Sequence, residues 1–177
     1  GHGASLDATT AGYLTVIPWL AVFISCWVRR FPLRKVLVPY YILISLVMAL
    51  VFVADYSLYP FWGFKLDASV FFYLDSPKNA VASVSMLYVA GRILTLLLLS
   101  ALTTVLFYRL TPALLPAVQH RMAGSGGMLV LGGLLFVTIR GGVTESTANI
   151  GQVYFCNDEF LNHSAVNPAF SLLASAG

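Results

Sequence analysis

The sequence predicts an all-α, polytopic helical membrane domain: about four transmembrane helices joined by short connections, with an interfacial, aromatic-rich outer loop between the second and third. Three observations predict it. Hydrophobic residues make up 59% of the 177 positions and charged residues 10%, whereas soluble domains carry charge at about a quarter of theirs. The apolar residues fall in long unbroken runs instead of alternating with polar ones, which selects helices over a closed barrel as the way to satisfy the backbone in lipid. The basic residues gather in two of the connections between runs. A net charge of +3, scattered along the chain, gives no continuous basic face, so no nucleic-acid partner is expected.

The first helix is expected near 11–28. The second, near 36–54, is the clearest, because 36–53 holds no charge and is rich in Leu, Ile and Val. At 1.5 Å per residue it reaches roughly 27 Å, close to the ~30 Å of a bilayer's hydrocarbon core. The third is expected near 84–109. Its apolar stretch 93–107 is interrupted only by Thr95, Ser100, Thr103 and Thr104, whose hydroxyls can bond back to their own helix. The fourth is expected near 125–140, a short helix unless the glycine-rich 124–127 joins it.

The connection after the first helix holds Arg29, Arg30, Arg34 and Lys35 with no acidic residue, and the one after the third holds Arg109, His120 and Arg121. Short loops rich in Lys and Arg stay cytoplasmic. The first ten residues, the outer loop 55–80 and the segment 141–177 are then expected outside. An outside start with no basic leader before the first run predicts a further helix upstream, and the ending at Gly177 predicts a chain that continues.

The outer loop carries Tyr56, Tyr59, Phe61, Trp62, Phe64, Phe71, Phe72 and Tyr73. Aromatics with a polar edge settle at headgroup level, so the loop reads as a belt on the outer leaflet or as a groove for a lipid or an extracellular domain. Asp67 is placed to cap a short helix ending before Ser76-Pro77, and Asp75 or Ser76 to open the next. Arg92 precedes the apolar stretch of the third helix and is expected to snorkel toward headgroups, where a lipid phosphate would meet it. With no other charge inside an apolar run, ion-coupled transport is disfavoured.

The segment 141–177 reads as a solvated linker with a short helix from Asn167 onward. Asp158, Glu159 and His163 match no zinc or calcium spacing, and Asn162-His163-Ser164 fits the glycosylation triplet, a frequent chance match. Cys26 and Cys156 form no disulfide or metal framework. No phosphate-binding loop, nucleophile elbow or dinucleotide fingerprint occurs.

Several segments resemble the membrane part of bacterial lipoteichoic-acid-synthase-like proteins, especially sulfatase-type members of the alkaline phosphatase superfamily. They are 6–13 (Leu-Asp-Ala-Thr-Thr-Ala-Gly-Tyr), 61–67 (Phe-Trp-Gly-Phe-Lys-Leu-Asp), 73–78 (Tyr-Leu-Asp-Ser-Pro-Lys), 140–142 (Arg-Gly-Gly), 149–155 (Asn-Ile-Gly-Gln-Val-Tyr-Phe) and 161–168 (Leu-Asn-His-Ser-Ala-Val-Asn-Pro). The order and spacing carry the resemblance, which extends over essentially the whole chain. It implies five membrane helices followed by an extracytoplasmic domain that breaks phosphate or sulfate esters with a Thr-type nucleophile and a divalent metal. That domain has no counterpart in these 177 residues. No catalytic residue or metal ligand is therefore assigned here, no cofactor is expected in this fragment, and Thr144, Ser146 and Thr147 read as linker. The implied role is the anchor of a sulfatase- or phosphoglycerol-transferase-like enzyme in the bacterial cytoplasmic membrane, with membrane lipids and its own catalytic domain as partners. Trp62, Phe64 and Arg92 are the candidate lipid or domain contacts. The alternative, from another class, is a free-standing membrane module, either a transporter subunit or a scaffold without enzyme activity.

Overall fold

The computed structural model describes residues 3–28, 30–63, 65–70, 85–113, 121–141 and 148–175, without the side chains of residues 61, 62 and 152. Every regular element among these residues is helical. In chain order they are α1 (Ala4–Ser25), α2 (Leu33–Trp62), α3 (Met86–Leu110), α4 (Arg121–Arg140), a 3-10 turn (Ile150–Val153), α5 (Glu159–Ser164) and α6 (Pro168–Ser175). The first four are long and apolar enough to cross a membrane.

The four long helices form two antiparallel pairs, α1 with α4 and α2 with α3, joined by a smaller contact between α1 and α2. They therefore lie in a row, α4–α1–α2–α3. Such an arrangement leaves long apolar faces uncovered: α3 has no buried residue, and Leu94, Leu97, Leu98 and Leu102 are all exposed. In water that surface would drive aggregation, whereas in lipid it is the solvated face.

Each pair is held by a different device. Between α1 and α4 the backbones come close at glycine. A Cβ added to Gly132 would stand 2.6 Å from Cζ2 of Trp19, and one added to Gly12 would stand 2.9 Å from Cγ1 of Ile139. The Trp19 indole N–H donates to the Met128 carbonyl at 2.9 Å, and the Thr9 hydroxyl donates to the Thr138 carbonyl at 3.2 Å. Close packing at small residues with a few interhelical hydrogen bonds is how helices associate where no hydrophobic effect separates them from solvent. Between α2 and α3 the fastening is polar and sits at one end. Arg34 donates through Nε and Nη2 to the Thr111 carbonyl at 2.9 and 2.7 Å, its guanidinium lies 4.6 Å from the centre of the Tyr108 ring, and the Tyr41 and Thr111 hydroxyls are 2.9 Å apart. The cation thereby satisfies an orphan carbonyl at the negative end of the α3 dipole.

Pro18 lies inside α1 and cannot supply the amide that would bond to the Leu14 carbonyl one turn back. The Tyr40 hydroxyl of α2 donates to that carbonyl at 2.6 Å. A break in one helix thus becomes a fastening to its neighbour.

Several expectations change here. The helix expected to end near 54 runs on to Trp62, so 55–62 is helix and not outer loop. The reason is tertiary: Val51 and Leu66 share a buried cluster with Ala169 of α6, against which Ala54 and Leu58 also pack. Gly63 closes α2 in the left-handed conformation (φ 70°), its amide bonded to the Tyr59 carbonyl, a glycine-favouring terminus. Likewise α1 begins at Ala4, not near 11, and α4 takes in the glycine-rich 124–127.

The segment after α4 is the larger correction. Expected as a solvated linker, its described part, 148–175, folds back over the ends of α1 and α2. Val153, Val166 and Phe170 bury against Leu6, which is 0% exposed. Asn167 caps α6 by accepting from the Ala169 and Phe170 amides at 2.9 and 3.2 Å, and its Nδ2 donates to Asp7 of α1 at 2.7 Å. The short helix expected from Asn167 onward is α6. Of the predicted Asp67 cap, the described residues show its carboxylate accepting from the Ser69 amide at 2.9 Å. The rest of that helix, and the start assigned to Asp75 or Ser76, lie outside the described residues. Ser85 opens α3, accepting from the Tyr88 amide at 3.2 Å.

Candidate functional site

The Asp55–Lys65 ion pair, the Asp7–Asn167 bond and Arg92 gather at one end of the row, where α1 begins, α2 ends, α3 begins and α4 ends. At the edge of this end, on α3, stands Arg92. Its guanidinium carbon lies 4.5 Å from the centre of the Tyr56 ring of α2 and 4.6 Å from that of Tyr88, one turn earlier on α3. Both rings attract the cation through their π faces, a two-tyrosine clamp. Among the described residues no carboxylate lies within ion-pair distance of it; the ion pair present there is Lys65 with Asp55 at 2.8 Å.

That pair has a structural task. Asp55 is only 7% exposed, and its second oxygen accepts from the Leu66 amide at 3.0 Å. The carboxylate so ties the chain after Gly63 back onto α2, and its charge is matched by Lys65 and by a backbone donor, as a buried carboxylate requires. Beside it, Tyr59 meets His163 and Phe160 edge-on at 6.1 and 6.0 Å between ring centres.

Of the three predicted contact residues, Arg92 is placed fully. Trp62 is the last residue of α2, about 9 Å along the axis beyond Tyr56, and its side chain is outside the described set. Phe64 lies outside the described residues altogether. The arrangement that the sequence reading missed is the pair of tyrosines. Tyr88 stands four positions before Arg92, a spacing that places both on one helical face, but Tyr56 was assigned to a loop.

A cavity of about 560 Å³ lies between α1, α2 and the folded-back segment. Its polar lining is already engaged: Asp7 with Asn167, and Asp55 with Lys65. Asp158 is occupied as the cap of α5, accepting from the Leu161 amide at 3.1 Å, and no group of three or more metal-ligating side chains occurs among the described residues. Asn162 of the glycosylation triplet is 5% exposed, accepts from the amides of Phe155 and Cys156 and donates to the Cys156 carbonyl. It staples a turn and presents nothing to a glycosyl donor.

A second cavity, about 520 Å³, is a groove at mid-height over α2, between α1 and α3. Its walls are apolar apart from a few hydroxyls, and the Ser45 hydroxyl, 3% exposed, finds no hydrogen-bond partner. Comparison with protein-family models, with characterised proteins and with solved structures finds no match to this chain.

Proposed function

We propose that this chain is the membrane anchor domain of an extracytoplasmic enzyme of the sulfatase or phosphoglycerol-transferase type, acting on sulfate or phosphate esters close to the membrane surface. The observation that carries the reading is the folded-back segment 148–175. A flexible tether would leave those residues solvated. Here they form a cap with its own core on the ends of α1 and α2, and the cap presents Phe160 at 63% exposure and Leu173 at 61%, apolar surface suited to a docked domain.

In this reading the capped end faces outward and the ends bearing Arg34, Lys35, Arg109 and Arg121 face the cytoplasm of a bacterium, an orientation that the distribution of basic residues supports. The anchor confines a following active site to the neighbourhood of the headgroups and raises the effective concentration of a lipid-linked substrate. The catalytic chemistry, with its divalent metal, belongs to that following domain. Membrane lipids and the catalytic domain are the partners, met at the outer end by Arg92, Trp62 and Phe64.

The test uses the parent polypeptide. Ester hydrolysis or headgroup transfer is measured on lipid-linked and on soluble substrates, in the intact protein and after proteolytic cleavage beyond residue 175. The reading expects activity on soluble ester to survive cleavage and activity on lipid-linked substrate to fall at least about tenfold, as loss of effective concentration dictates. Equal activity on both substrates before and after cleavage would refute it, as would a parent chain lacking any esterase or transferase activity.

A further inference from the structure

Two helical faces run in register from the outer end into the row. On α3, Tyr88, Arg92, Leu99, Thr103 and Phe107 recur at spacings of four or seven, and on α2, Tyr41, Ser45, Met48, Phe52 and Tyr56 recur at three or four, so each set shares one face. The lower members of both sets wall the mid-height groove, with Ala11, Leu14 and Pro18 of α1 opposite. The upper members are the tyrosine clamp and its arginine. A cation with no carboxylate within reach among the described residues thus stands in line with an apolar groove and outward of it. From Arg92 to Thr103 is about 16 Å along the helix, close to half of a ~30 Å hydrocarbon core.

We propose that this face is a binding site for one glycerophospholipid of the outer leaflet. The headgroup it takes is net anionic, a phosphodiester that meets the Arg92 guanidinium with no headgroup ammonium beside it, and one acyl chain lies in the groove between α1 and α3. Charge complementarity selects the headgroup: a guanidinium fork offers paired donors to phosphate oxygens. The groove's walls, apolar apart from a few hydroxyls, suit a hydrocarbon chain. The inference rests on the four helices spanning a bilayer and is independent of any catalytic domain.

Native mass spectrometry from detergent micelles tests it, with phosphatidylglycerol and phosphatidylcholine of identical chains offered at equal concentration. The expected result is one phosphatidylglycerol retained per chain, at about tenfold preference. Arg92→Gln removes the preference but leaves weak retention of both lipids, and Thr103→Phe, which fills the groove, removes retention of both. Ser45→Leu fills the groove from its floor while eliminating an unpartnered hydroxyl. It serves as the blocking variant if Thr103→Phe fails to elute as a folded species, and it is expected to abolish retention equally. Equal binding of the two lipids by the unsubstituted protein, an unchanged preference in Arg92→Gln, or retention undiminished in the folded blocking variant would each overturn the site. A protein segment seated in the groove, or general annular lipid, produces those same results. Membrane pellets washed with alkaline carbonate separate the two levels of failure: release of the protein overturns the spanning reading and the site together, whereas retention without lipid preference overturns the site alone.

Discussion

Tyr40→Phe removes one hydroxyl and leaves the Leu14 carbonyl without a donor, because Pro18 has no amide to give it. The bond lost is 2.6 Å long and joins α1 to α2, whose mutual contact is smaller than that within either antiparallel pair. Interhelical hydrogen bonds in bilayers average about 0.6 kcal/mol and reach about 1.7, while a buried group left unpaired costs about 1–3 kcal/mol. The expected loss is therefore about 1–2 kcal/mol. Pro18→Ala restores an amide one turn after Leu14, so the same Tyr40→Phe change in that background should cost about 0.5 kcal/mol or less, a coupling of about 1 kcal/mol. Reversible unfolding of the two single variants and the double variant in mixed micelles, followed by circular dichroism, measures all three terms. Equal cost of Tyr40→Phe in both backgrounds would show that the hydroxyl does not compensate for the proline, and the account of the α1–α2 fastening would be wrong.

Other expectations follow from the same packing. Gly132→Ala drives a methyl against the Trp19 ring and should destabilise by about 1–3 kcal/mol. Gly133→Ala meets open space and should be neutral or stabilising by up to about 1 kcal/mol from helix propensity; micelle unfolding of the pair checks both. Leu6→Ala removes the centre of the cap's core, costing about 2–5 kcal/mol, and limited proteolysis should then cut within 148–175 well before the long helices are affected. Asn167→Ala deletes the α6 cap and the bond to Asp7 and should release the same segment by about 1–2 kcal/mol, read as faster hydrogen exchange at Ala169 and Phe170.

The four long helices were legible because each signal is local: an unbroken apolar run long enough to span lipid needs no knowledge of its neighbours. Arg92 was legible for the same reason, as a charge at the edge of such a run. What failed was every feature that depends on distant residues meeting. Leu6, Val153, Val166 and Phe170 lie in short separate stretches up to 164 positions apart, and nothing in their own neighbourhoods marks them as one core. The outer end of α2 was read as an aromatic belt because Tyr56, Tyr59, Phe61 and Trp62 crowd together. Their helical state follows from Leu58 and Leu66 packing toward α6, and from Asp55 holding the returning chain. The tyrosine clamp sat half in view: Tyr88 and Arg92 share a helix, but Tyr56 reaches them only because α2 continues as helix beside α3.

The most direct measurement of the central claim is residue-by-residue labelling of intact cells with a membrane-impermeant maleimide. Cys26 and Cys156 are first replaced by Ser or Ala, and then single Lys35→Cys and Ser175→Cys variants are compared before and after permeabilisation. A four-crossing anchor with its cap outside predicts that Ser175→Cys labels in intact cells and Lys35→Cys only after permeabilisation. Labelling of both in intact cells, or of neither until permeabilisation, would contradict it.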